Sequence, residues 1–177
     1  MEKTRLMLRL LPLLFASPAP AGPVPELYLA VSRFCDVPAR LLYAVAKAES
    51  GRDLAGEGVE PWPWTLNIEG ESHYYDSREA VFEALMPTLA EGRVVDIGLM
   101  QLNWGWKFDD LMSPWLATDP YFNTNTACRI IRTHYEADET AGWFAAVGRY
   151  HREADAPEHE AARRAYSDRV RRLWERL

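Results

Sequence analysis

Leu42, Val45 and Ala46 recur at helical spacing, and the next member of that apolar stripe is Glu49. An ionised carboxylate is costly to bury, so a glutamate there should bind its proton more tightly than the ~4.3 of a free side chain. A carboxyl group that stays protonated near neutral pH can serve as a general acid. The plainer alternative is that Glu49, just ahead of Ser50-Gly51, reaches water from the end of its helix. Four tryptophans, Trp62, Trp64, Trp104 and Trp106, offer flat apolar faces that suit sugar rings, and equally suit core packing. His73, His134, His151 and His159 show no metal-ligand spacing, so neither a metal nor another cofactor is expected.

The elements that must carry these residues are mostly helical. Leu27, Ala30, Val31 and Phe34 form one helical stripe, and Asp36-Val37-Pro38 ends it and opens the helix that bears Glu49. Gly51 favours termination. Residues 62–68 and 73–75 lean towards strand around a turn at Glu69-Gly70-Glu71-Ser72, which reads as a short hairpin. Ser77 can cap a helix to about Leu89 with Ala80, Val81, Ala84 and Leu85 inward, shortened or kinked by Pro87. Val94 to Ile97 offers one more short strand, and Gly98 to Leu102 a tight turn opening a short helix. Three helices complete the chain. One is capped at Asn123 or Thr124 and carries Ala127, Ile130, Ile131, His134 and Tyr135. Another spans Thr140 to Tyr150. The last runs from Glu158 to Leu177, with Tyr166, Val170, Leu173 and Trp174 on one stripe. This is an α+β pattern, mostly helical with a small β-hairpin or sheet insertion, of the lysozyme kind.

The chain has 177 residues, 48% hydrophobic, which suffices for one cored domain. Twenty basic against 26 acidic residues give a net charge of −6, which argues against a nucleic-acid partner. No apolar run reaches the length of a membrane span. Residues 1–21 read as a secretory signal peptide: Lys3, Arg5 and Arg9 are followed by the apolar Leu10–Ala16 and the Ala19-Pro20-Ala21 cleavage pattern. Residues 22–177 then form the mature domain, and the expected location is the periplasm. In an oxidising compartment Cys35 and Cys128 have one possible pairing, worth about 4–5 kcal/mol by chain entropy before strain. The alternative is two buried thiols.

Three segments, Ala48-Glu49-Ser50-Gly51, Gly98-Leu99-Met100-Gln101 and Ala146-Val147-Gly148-Arg149-Tyr150, stand in an order and spacing that resembles the soluble lytic transglycosylases. The Trp62-Pro63-Trp64-Thr65-Leu66-Asn67 stretch, followed by Val95-Asp96-Ile97 ahead of Gly98, resembles the specialised members carried by conjugative elements and type IV secretion machines. The resemblance implies a lysozyme-like fold. It also implies cleavage of the N-acetylmuramic acid–N-acetylglucosamine bond of peptidoglycan with closure of a 1,6-anhydro ring. Peptidoglycan strands are the implied partner, together with proteins of a secretion or conjugation apparatus.

By matching position, Glu49 would be the catalytic residue. Tyr150 would hydrogen-bond Glu49 or the substrate, Gln101 would meet sugar N-acetyl groups, and Ser50 would bond substrate or backbone. The sequence departs from the family in two places: the stretch after Gly51 has no serine, and His151 stands where an asparagine is usual. A lysozyme-type hydrolase is the alternative, with Asp53, Glu57 or Asp96 as second carboxylate. A non-catalytic wall-binding part of a secretion machine is another. Arg163, Arg164, Arg169, Arg171, Arg172 and Arg176 make the last helix locally basic. Such a face suits anionic lipid, peptidoglycan carboxylates or an acidic partner, or is simply solvated.

Overall fold

The computed structural model describes residues 23–55, 58–153 and 156–177. The proposed signal segment therefore lies outside the described residues, as does Glu57. Helix α1 (Glu26–Cys35) ends where Asp36 turns left-handed, and α2 (Ala39–Ser50) follows directly. Leu42, Val45 and Ala46 are fully buried on α2, as their spacing requires. Gly51 ends the helix in extended conformation. Its position excludes a side chain: a Cβ there would sit 2.4 Å from both the Lys47 carbonyl oxygen and Val59 Cγ1.

The backbone then makes a hairpin that the sequence did not announce. Strands β1 (Gly51–Asp53) and β2 (Val59–Pro61) pair antiparallel, Gly51 opposite Pro61. Side chains on α2 hold it down: Lys47 donates to the Val59 carbonyl and to Glu60, and Tyr43 donates to Glu60. The expected hairpin is β3 (Thr65–Ile68) with β4 (Glu71–Tyr74), and Trp62-Pro63 precede it. With β5 (Val95–Ile97) and β6 (Leu102–Asn103) these strands form a second sheet in the order β4-β3-β5-β6, antiparallel throughout.

Helix α3 (Arg78–Ala90) starts at Ser77, whose hydroxyl accepts the Ala80 amide. Pro87 neither stops nor shortens it: the helix runs on through three more residues to Ala90. Two short helices, α4 (Phe108–Leu111) and α5 (Pro114–Ala117), lead to the long α6 (Pro120–Ala137). The cap of α6 is Asp119, not Asn123 or Thr124: the Asp119 carboxylate accepts the Phe122 amide, and Pro120 takes the first helical position. A single 3-10 turn at Glu139–Ala141 precedes α7 (Gly142–His151), which therefore starts later than Thr140. Helix α8 (Pro157–Glu175) ends the fold with Tyr166 and Val170 buried.

The result is α+β, mostly helical, with two small sheets. Its core runs between α1, α2, α6, α7 and α8 and continues under the second sheet through Leu66 and Ile97. Cys35 of α1 and Cys128 of α6 form a disulfide, their Cα atoms 6.1 Å apart. Among the described residues no helix is long and apolar enough to cross a membrane.

Candidate active site

Glu49 occupies the last turn of α2 and retains partial access to solvent. Its carboxylate oxygen Oε1 accepts the hydroxyl of Tyr166 at 2.5 Å. Arg40, near the start of α2, donates to the Trp174 carbonyl near the end of α8. Together the two contacts show that α2 and α8 lie antiparallel, with Glu49 against the middle of α8. Burial pushes the Glu49 pKa up from 4.5 to about 7. The Tyr166 hydrogen bond opposes that rise, the Asp96 charge adds to it, and the Arg169 charge opposes it.

The segment Gly98–Gln101 is a tight turn joining β5 to β6, not the start of a helix. Gly98 at φ 77° and Gln101 at φ 49° both adopt left-handed backbone, which breaks helical continuation at each end. Three helices hold this turn. From α6, Asn123 accepts the Met100 amide and donates to the carbonyls of Ile97 and Ala117. From α2, the Ser50 hydroxyl donates to the Leu99 carbonyl at 2.8 Å. From α7, the Tyr150 hydroxyl donates to the Met100 carbonyl at 2.5 Å. Gly98 has no room for a side chain, since a Cβ would lie 2.8 Å from the Asn123 amide.

The three segments singled out in the sequence therefore meet in space, and their residues divide the work. Ser50 is buried at 1% exposure and bonds backbone, which leaves it a structural tie. Tyr150 bonds the turn, while Tyr166 holds the acid. Tyr150 is close enough for the Glu49 charge to help burial push its own pKa well up, so it stays a neutral donor. Gln101 donates one amide N–H to the Gly98 carbonyl at 2.8 Å, and among the described residues its other N–H and its oxygen have no hydrogen-bond partner. His151, in the place of the expected asparagine, stacks parallel on the Tyr166 ring with centroids 4.2 Å apart. Burial, assisted by the Arg152 and Arg169 charges, lowers its pKa.

Of the alternative carboxylates, Asp96 is nearest in effect. It accepts the Asn103 amide at 2.7 Å, and burial raises its pKa. Asp53 is exposed on β1. The tryptophans separate as well. The Trp62 indole donates to the Tyr75 carbonyl and meets Trp64 edge-on, Trp64 and Trp104 pack partly against the core, and Trp106 is 85% exposed. Among the described residues no group of histidine, cysteine and carboxylate side chains could hold a metal.

Sequence reasoning read Tyr166 as a stripe residue and Asn123 as a cap, and so missed both. The available signal was polarity on an apolar face: a tyrosine hydroxyl or an asparagine amide that goes inside needs a partner. No family model, curated protein or solved structure matches the chain.

Proposed function

We propose that this chain is an exported, periplasmic lytic transglycosylase on a lysozyme-like fold. It cleaves the N-acetylmuramic acid–N-acetylglucosamine bond of peptidoglycan with formation of the 1,6-anhydro ring, for local wall opening by a conjugative or secretion apparatus. The observation that carries this reading is a half-buried glutamic acid, Glu49, held by the Tyr166 hydroxyl beside a turn that presents Gln101.

In the first step protonated Glu49 donates its proton to the glycosidic oxygen, and the bond from that oxygen to C1 of the muramyl sugar breaks. The substrate's N-acetyl oxygen stabilises the cationic carbon, as in substrate-assisted glycosidases. Gln101 would orient such an acetamido group through its side-chain amide. In the second step the Glu49 carboxylate takes the proton of the sugar's own 6-hydroxyl, whose oxygen bonds to C1. No water is consumed, and Glu49 returns to its acid form. One residue must both give and take a proton, so a pKa near the working pH suits it. Its value of about 7 supports this cycle.

Digestion of purified peptidoglycan followed by mass spectrometry tests the reading. Products lighter by one water than the hydrolysis products are expected. Ordinary reducing-end products would instead select the hydrolase. Asp96 motivates that second reading, because its charge reaches Glu49. Asp96→Asn should keep turnover under the one-carboxylate mechanism, and a folded, inactive variant would support the hydrolase.

A further inference from the structure

Beyond Tyr166, helix α8 carries Arg169 and Arg172 and is capped by Arg176, at positions i, i+3 and i+7, all exposed. Other cations of this helix are engaged. Arg163 donates to the carbonyls of Arg152 and Glu153, Arg164 pairs with Glu160, and the Arg171 guanidinium lies 4.1 Å from the Phe144 ring centroid. Arg169, Arg172 and Arg176 take part in no ion pair among the described residues. Residues at this spacing lie along one side of a helix, and seven residues span about 10 Å.

The row begins at the acid. Arg169 is three positions from Tyr166, whose hydroxyl touches Glu49, and its charge is felt at both Glu49 and His151. Because α2 and α8 are antiparallel, the row leads away from Glu49 towards the Arg40 end of α2. Neighbouring like charges repel, and the helix C-terminus returns only a small favourable term to Arg172 and Arg176. On a chain of net charge −6, a row of exposed guanidinium groups without ion-pair partners among the described residues, leading away from Glu49, is ready for an anionic ligand. Guanidinium forks match carboxylates in particular.

We propose that Arg169, Arg172 and Arg176 bind the carboxylates of the peptide stems attached to the glycan, so that the protein distinguishes peptide-bearing strands from bare ones. This rests on the transglycosylase reading of Glu49, and the same glycan supplies both ligands: the sugar bond for the acid and the peptide for the row.

The test is co-sedimentation of the full chain carrying Glu49→Gln, which removes cleavage from the readout. Its ligands are intact peptidoglycan, glycan freed of peptide by an amidase, and vesicles of phosphatidylglycerol with phosphatidylcholine. Replacing all three arginines by glutamine should weaken binding to intact peptidoglycan roughly tenfold at low salt, at exposed ion-pair strength, and weaken binding to the amidase-treated glycan, which carries only its muramic lactyl carboxylates, clearly less. Lysine replacements should retain most of the binding, and unchanged thermal melting verifies the fold. Equal losses on intact and bare glycan, or no loss on either, overturn the proposal. So does vesicle binding that the arginines control while peptidoglycan binding ignores them, which would assign the row to a membrane surface. Turnover by the unmodified chain separates the two readings. Anhydro products with arginine-insensitive binding remove this inference alone. Absence of both turnover and peptidoglycan binding removes the transglycosylase reading, and this inference with it.

Discussion

Replacing Tyr166 with phenylalanine isolates one hydroxyl. The ring that stacks on His151 is kept, and the donor to Glu49 Oε1 is lost. A hydrogen bond to a charged group contributes about 1.5–3 kcal/mol, and ~1.36 kcal/mol corresponds to a tenfold change in proton affinity, so the carboxylate loses at most about a hundredfold of support. The Glu49 pKa should therefore climb from about 7 towards 8 or above. The first step needs the protonated acid, so the rate falls as pH rises through the pKa, and a raised pKa moves that falling limb to higher pH. At pH 6 the acid is protonated in both proteins, yet the variant donates its proton less readily. The rate there should drop by up to about tenfold for each tenfold gain in proton affinity. The assay is release of anhydro product across pH 5–10, followed by mass spectrometry, with melting to verify folding. A folded variant whose alkaline limb stays put or moves to lower pH would refute the assignment of Tyr166 as stabiliser of the Glu49 anion.

Glu49→Gln should abolish product release by at least about 10²–10⁴-fold, and near-normal turnover in a folded protein ends the catalytic reading. The same variant should change stability with pH. A folded-state pKa of about 7 against 4.5 means the protonated acid's contribution is present below pH 4.5 and lost as pH rises towards 7. Above pH 7 the wild type then carries a burden of about 3 kcal/mol at most that glutamine lacks. Calorimetry at pH 8 and pH 4.5 should show the variant's advantage shrinking at the lower pH, and a constant offset contradicts this. Asn123→Ala strands the Met100 amide and the Ile97 and Ala117 carbonyls in a fully buried place. At about 1–3 kcal/mol per unsatisfied group, urea melts should show a loss of at least about 3 kcal/mol, and a loss under about 1 would mean that the turn holds itself. Alkylation of the unfolded, unreduced protein should find no free thiol on Cys35 or Cys128, and reduction should lower stability by about 2–4 kcal/mol.

Helical periodicity was the most legible part of the chain. α1, α2, α3 and α8 fall within one or two residues of their stripes; α1, α3 and α8 bury one apolar side each, while α2 is buried on all sides from Leu41 to Ala46. What periodicity does not encode is where a polar side chain finds its partner. Asn123 looks like a cap from its composition and position, yet a stronger Asp-Pro signal four residues earlier starts the helix and frees Asn123 for the turn. Tyr150 and Tyr166 are indistinguishable as stripe tyrosines. Which of them meets Glu49 depends on how α7 and α8 pack, a long-range fact. The β1–β2 hairpin was illegible because three-residue strands carry no alternation, and its hold on α2 comes from Tyr43 and Lys47. The stripe did place Glu49 in the last turn of its helix with the right neighbours.

The joint between α2 and β1 has a mechanical consequence. Glu49 is fixed twice, from two different bodies. Its side chain is held by α8 through Tyr166, and the next residue's carbonyl accepts the Trp62 amide at 3.0 Å from the end of the β1–β2 hairpin. Any force that a polymer exerts on the hairpin is transmitted through Ser50 to the backbone of the acid, with no flexible linker between to absorb it. A pull that parts α2 from α8 would stretch the Glu49–Tyr166 bond, and the acidity of Glu49 would change with it. Proton affinity at this position would thus follow the spacing of α2 and α8, and under the transglycosylase reading a bound glycan that alters that spacing would bias the charge state of Glu49.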